Sequence, residues 1–266
     1  MSAVESAGHA VRRGAHTACP ALSTGREGGA QAVTLRAAVS VLSAALVHGA
    51  PRRGTVVAST RLGCYVLLDD ESAVLPVLTC DALALPTAVR LGEPAEGAPL
   101  RLAPGQGVLV GDSRIAAPGL TVGIVRTVRP AQVRRTPAAL PHTPLRRDHL
   151  LERLGRGPGL TPEGDDEIAG HLLVVAAAGG IVPDLEPDLH RTTALSASLL
   201  RAAAQGYAVP EVVAYVDAVI GEDALTERRL RPRVAAIGHT SGPALLRGIH
   251  SAFDGVAEPS TERTVA

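Results

Sequence analysis

The chain has 266 residues, enough for one large domain or two modest ones with a proper core. Its formal net charge is zero, so no overall field draws it toward nucleic acid or an anionic membrane. Every basic residue is arginine, which excludes a Walker-type phosphate loop and Schiff-base or pyridoxal chemistry, all of which need a lysine.

In chain order, residues 1–32 read as a flexible leader: Arg12 and Arg13 are followed by no continuous apolar stretch of the signal-peptide kind. Val33–Val47 has helical spacing, with Val33, Ala37, Val41, Ala44 and Ala45 on one side and Gly49 and Pro51 as stops. From Gly54 to Val133 the texture changes. Short apolar runs alternate with Gly and Pro: Thr55–Ser59, Cys64–Leu68, Val74–Thr79, Ala88–Leu91, Pro99–Leu102, Gly107–Val110 and Leu120–Val128. Such intervals predict a strongly bent sheet or small barrel, with Pro76 moving its run toward a sheet edge.

Arg134–Pro144 is proline-rich and reads as a linker, spanning the 134–144 segment between two halves. Helical pattern follows: Leu145–Leu154, Pro162–Ala178, Thr192–Gln205, Val209–Ile220, Asp223–Ile237 with an interruption at Pro232, and Pro243–Phe253. The expectation is an α+β fold. A helix plus β-rich domain spans 33–133, a helical domain spans 145–255, the two can share one core, and 256–266 is a disordered tail.

The core must be built from Ala, Val and Leu. Hydrophobic residues make up 46% of the chain, aromatics only 2%, and there is no Trp. With Tyr65, Tyr207, Tyr215 and Phe253 as its only aromatics, the chain has no base-stacking platform for nucleic acid. Cys19, Cys64 and Cys80 form no C-x-x-C pair, so a reducing cytoplasm is the natural compartment. The longest apolar run, Ile168–Gly180, is too short to span a bilayer and has Asp165 and Asp166 at its mouth.

Two glycine-rich loops, each opening a helix, carry the chemistry. The first is Gly157-Pro158-Gly159-Leu160-Thr161-Pro162-Glu163-Gly164-Asp165-Asp166. Thr161 is a natural N-cap and Pro162 suits the first helical position. Gly157 and Gly159 allow positive φ and close approach of a ligand, and Gly164 within the helix asks for something packed against its bare backbone. A helix start offers N–H groups to an anion, but Asp165 and Asp166 repel a bare phosphate unless a cation such as Mg2+ lies between. The same acids can instead satisfy the dipole of a capped, buried helix.

The second loop is Gly238-His239-Thr240-Ser241-Gly242-Pro243. Gly242 and Gly248 are spaced as Gly164 and Gly170 are, so the two loop–helix units can pair about a pseudo-twofold axis and present both N-termini to one ligand. Tight helix packing accounts for the glycines equally well. His239 can donate to an oxyanion or act as general acid, whereas His171 reads as a packed core histidine. Between the loops, Thr192 or Thr193 can cap a helix and Arg191 can grip a carboxylate or phosphate.

The ordered motifs G-P-G-L-T-P-x-G-D-D, T-T-x-x-S-x-x-L-x-x-A-x-x-G and G-H-T-S-G-x-x-L-L-x-G together resemble a bacterial family, the H subunit of oxamate carbamoyltransferase (AllH). They span Gly157–Gly248, while the N-terminal half matches in texture only. The resemblance implies a transferase subunit acting with partner subunits in allantoin and purine nitrogen catabolism. It would exchange a carbamoyl group between oxalurate and phosphate. Read from the residues themselves, the candidates for this chemistry are Asp165, Asp166 and His239 as catalytic groups, with Gly157, Gly159, Thr161, Gly164, Arg191, Thr192, Thr193, Thr240, Ser241 and Gly242 around a small anionic substrate. Glu163 stands where the family usually has a small residue and Glu167 where it has an aromatic, which favours a cation-assisted site or an altered specificity. Two other readings stand beside it: a non-catalytic anion-binding or scaffold subunit, and a metal-dependent phosphotransferase or phosphohydrolase.

Overall fold

A computed structural model describes residues 33–71, 73–97, 100, 102–136 and 141–254. The expected leader, the tail, Pro99, Arg101 and the middle of the 134–144 segment lie outside the described residues.

The first half is a closed eight-stranded barrel of β1 (Val33–Ser40), β2 (Arg52–Thr60), β3 (Gly63–Leu68), β4 (Val74–Leu78), β5 (Val89–Leu91), β6 (Gly107–Gly111), β7 (Arg114–Ala117) and β8 (Leu120–Val128). The spatial order is β1-β5-β4-β3-β2-β6-β7-β8, closed by parallel pairing of β8 with β1. Inward side chains such as Leu35, Val39, Val66, Leu75, Val89, Val110 and Val122 fill the interior. Closure removes the open edges that a bent sheet would otherwise expose.

The helix expected over Val33–Val47 is overturned. Val33–Ser40 is a strand whose register runs from Val33 opposite Leu120 to Ser40 opposite Val128, and only Ala44–His48 (α1) is helical. Val33, Leu35, Ala37 and Val39 also alternate at period two, and pairing with a distant strand decided between the two periodicities. Pro76 is not at an edge, since β4 lies between β3 and β5. It is tolerated because it faces Tyr65 on β3, while pairing to β5 begins only at Val77. Leu100 and Leu102 are buried but lie outside any strand.

The second half holds α2 (Arg147–Arg153), α3 (Glu163–Ala177), a short 3-10 helix (Glu186–Arg191), α4 (Ala194–Ala204), α5 (Pro210–Ile220), α6 (Ala224–Ala235) and α7 (Ser241–Ser251). Its core is separate from that of the barrel and centres on Ile168, Leu172, Leu173, Leu200, Tyr215, Val216 and Ile249. The halves therefore do not share one core. They are tied by backbone and side-chain hydrogen bonds of the connecting segment: Val133 N–H to the Gly206 carbonyl at 2.9 Å and Gln132 Nε2 to the Gln205 carbonyl at 2.9 Å. Arg134 N–H also donates to Asp217 Oδ1 at 2.9 Å. α6 runs through Pro232 without the expected break, at the cost of the bond a residue with an N–H would give to the Arg228 carbonyl.

α3 is apolar on nearly all sides, as a central helix must be. It packs against α7 with the two chains running parallel. Thr161 meets Ser241 at the N-terminal end and His171 meets Ser251 a few turns along. Small residues permit this approach. A Cβ on Gly170 would run into the backbone at Leu245 and Ile249, and one on Gly248 into the backbone at Glu167 and His171. The register shift that carries Gly170 onto Gly248 also carries Glu167 onto Leu245 and His171 onto Ile249, so the contacts are reciprocal. The pairing of the two glycine helices is present in the fold as a reciprocal α3–α7 packing.

Candidate functional site

Because α3 and α7 run parallel, their starts lie at the same end, and both glycine loops meet there. Thr161 Oγ1 and Ser241 Oγ are 3.3 Å apart. The Thr192–Thr193 motif joins them: Thr193 Oγ1 donates to the Leu160 carbonyl at 2.6 Å, and the Thr192 hydroxyl donates to Asp165 Oδ2. All three motifs therefore converge.

Asp165 is 1% exposed. Besides Thr192, it accepts the Gly155 N–H on Oδ1 at 2.7 Å. Both oxygens are thus engaged in fastening the α2–α3 turn to the start of α4. Gly155 can lie there because its φ is +75° and it has no side chain to meet the Arg191 carbonyl.

Asp166 differs. It is 9% exposed and its Oδ2 is buried without a hydrogen-bond partner. Burial raises its carboxyl to about 7, against a hydrogen bond from Ser241 that lowers it, with the negative charges of Asp165 and Glu163 adding to the rise. A buried carboxyl raised in this way, beside the Ser241 hydroxyl, is a candidate proton carrier.

The helix starts themselves are largely satisfied by the chain. Asp165 and Asp166 N–H groups donate to the Pro162 carbonyl, and Gly164 N–H donates to Arg156. At α7, Gly242 N–H donates to Ile237 and Ala244 N–H to Thr240. Pro162, not Thr161, is the N-cap of α3, and Thr161 points its hydroxyl to Ser241. Thr193 does cap α4, accepting the Ser196 N–H at 3.0 Å. Gly164 and Gly242 are packing glycines of one kind: a Cβ on either would collide with the end of the preceding helix, at Arg153 or at Val234.

Gly157 and Gly159 hold φ of +117° and +94° in the exposed loop. Gly238, His239 and Thr240 are exposed, as is Arg191, for which the described ion pairs show no carboxylate. His171 is a core histidine, with Nε2 2.8 Å from the Thr143 carbonyl and Nδ1 3.2 Å from Ser251 Oγ. Burial lowers its pKa.

Glu163 and Glu167 turn toward arginines. Arg247 on α7 contacts Glu163 and lies 3.8 Å from Glu167, which also pairs with Arg153. Sequence reading passed over these arginines, although acids four residues apart on one helix face call for a basic partner and Arg247 stands inside the third motif. Among the described residues no group of three His, Cys, Asp or Glu side chains is gathered to hold a metal ion.

No described helix is long and apolar enough to cross a membrane. No solved structure matches the chain. Residues 153–253 match the family model described as oxamate carbamoyltransferase subunit AllH, and this stretch contains the converging motifs and the ends of α3 and α7. The resemblance carried by the three motifs is thereby shown: from Arg153 to Phe253 the chain is similar to the oxamate carbamoyltransferase subunit AllH.

Proposed function

We propose that this chain is a subunit of a carbamoyltransferase-type enzyme and that its share of the active site is the common end of α3 and α7. The observation that carries the reading is Asp166, a buried and incompletely hydrogen-bonded carboxyl where the loops meet. In phosphorolysis of oxalurate, a phosphate oxygen attacks the carbamoyl carbon and the amide nitrogen leaves as oxamate. The proton lost by phosphate must reach that nitrogen, and Asp166 can take and return it. Ser241 and Thr161 hydroxyls can donate to the developing oxyanion, with His239 exposed in the second loop. Asp165, Thr192 and Thr193 hold the loops in place.

The exposed loop bearing Gly157 and Gly159 leaves this end open to water, so partner subunits are needed to close it and supply the other reactant's site. A cytoplasmic place and a role in allantoin-derived nitrogen use go with this reading. The purified chain should show little phosphorolysis of oxalurate, and carbamoyl phosphate should form when partner subunits are added. Full turnover by the chain alone contradicts the partner requirement. No turnover in the assembly contradicts the substrate.

One observation favours a second reading, a non-catalytic anion-binding or scaffold subunit: the N–H groups at the starts of α3 and α7 are bonded within the chain. Under that reading, Asp166→Asn leaves the turnover of the assembly unchanged.

A further inference from the structure

We propose that the cleft between the first loop and α7 is an oxyanion subsite, in which Arg156 and Arg247 grip two oxygens of a phosphate or an oxalate-type carboxylate. The inference rests on the functional reading above and adds the residues that would hold the anion.

The cleft sets the arginines Arg153, Arg156 and Arg247 against the acids Glu152, Glu163 and Glu167, with Gly157 and Gly164 between them. Its arginines are not equivalent. Arg153 is committed to Glu167 and donates from Nε to His149 at 3.1 Å. Arg247 divides itself between Glu163 and Glu167, and its pairing with Glu163 joins two half-exposed side chains, an arrangement that holds weakly in water. Arg156 has no carboxylate partner among the described ion pairs, and its side chain is exposed at the cleft.

The Arg156 backbone is nevertheless fixed. Its N–H donates to the Arg153 carbonyl at 3.0 Å and its own carbonyl accepts the Gly164 N–H at 2.8 Å. Gly164 also makes room there, since a Cβ at that position would press on the Arg156 Cβ. The result is one guanidinium carried on an anchored backbone and a second held by an exchangeable carboxylate. A phosphate or carboxylate group entering between them satisfies Arg156 and displaces Glu163 from Arg247, with guanidinium forks matching its paired oxygens. Glu163 therefore acts as a built-in competitor, which accounts for an acid at the edge of an anion site.

Isothermal titration of the full-length chain with inorganic phosphate, and separately with oxamate, tests this. Binding of at least one anion is expected. Arg156→Gln should weaken it at least tenfold with an unchanged melting temperature, and Arg247→Gln should weaken it similarly. Glu163→Gln should tighten it severalfold, an effect of opposite sign that a merely structural ion-pair network does not produce. Phosphate alone or oxamate alone identifies which reactant occupies the subsite. Failure of both anions to bind, or binding that Arg156→Gln and Glu163→Gln leave unchanged, overturns the proposal. Turnover by the assembled enzyme without anion binding to the chain removes the subsite and spares the functional reading. The expected binding pattern without turnover by the assembly does the reverse.

Discussion

Gly170 on α3 and Gly248 on α7 are mutual docking points: each leaves the space in which the other helix's backbone lies. Gly248→Ala gains roughly 1 kcal/mol of helix propensity. It also forces a Cβ onto the Glu167 carbonyl, which cannot yield as a side chain can. Overpacking of this kind costs about 1–3 kcal/mol or more. Urea unfolding should show a net loss of stability, with the site at the helix starts loosened as α3 and α7 separate. A more stable Gly248→Ala variant contradicts the packing role.

Asp165 and Asp166 are neighbours in sequence and should respond to the same substitution with opposite signs. In Asp165→Asn an amide donor replaces one of two oxygens that receive the Gly155 N–H and the Thr192 hydroxyl. The expected loss is about 1–3 kcal/mol in chemical denaturation. Thr192→Val should be partly redundant with it, giving a coupling of about 0.5–3 kcal/mol in a double-mutant cycle. Strict additivity would show that the pair does not act as a unit.

Asp166 predicts a pH dependence. Its carboxyl lies near 7 in the folded chain and near the ordinary carboxylate value when unfolded. The unfolded state therefore releases its proton first as pH rises. The stability present in acid below the unfolded pKa declines through the window from about 4 to about 7 and levels off above it. Its size is on the order of a few kcal/mol. Asp166→Asn should flatten that decline and raise stability at neutral pH. Equal pH profiles for the wild type and the variant would show that burial does not hold the proton there.

Much of this was legible in the sequence, and the failures have physical causes. Strands β2 to β6 and β8 announced themselves as apolar runs between turn residues, and the helices after Leu145 by their spacing, whereas Pro99–Leu102 is not a strand and the short β7 (Arg114–Ala117) carries too few residues to show a pattern. β1 was misread because an Ala- and Val-rich segment satisfies both helical and strand periods, and only pairing with β8 decides. The echo of Gly164–Gly170 in Gly242–Gly248 correctly foretold a paired arrangement. The sequence did not reveal that Asp165 is buried, since its partners Gly155 and Thr192 lie elsewhere in the chain. Nor did it show that Glu163 and Glu167 face Arg247, a contact made only when α3 and α7 run parallel.

The central claim is that Asp166 moves the proton in carbamoyl transfer at the joint end of α3 and α7. The most direct test is kcat for phosphorolysis of oxalurate by the assembled enzyme, comparing the wild type with Asp166→Asn. Loss of a general acid–base group should lower kcat by roughly 10²–10⁴-fold. Assembly should persist, and the variant chain should be at least as stable as the wild type at pH 7. Wild-type kcat in an assembly carrying Asp166→Asn would contradict the account and leave this chain as a support for chemistry done by its partners.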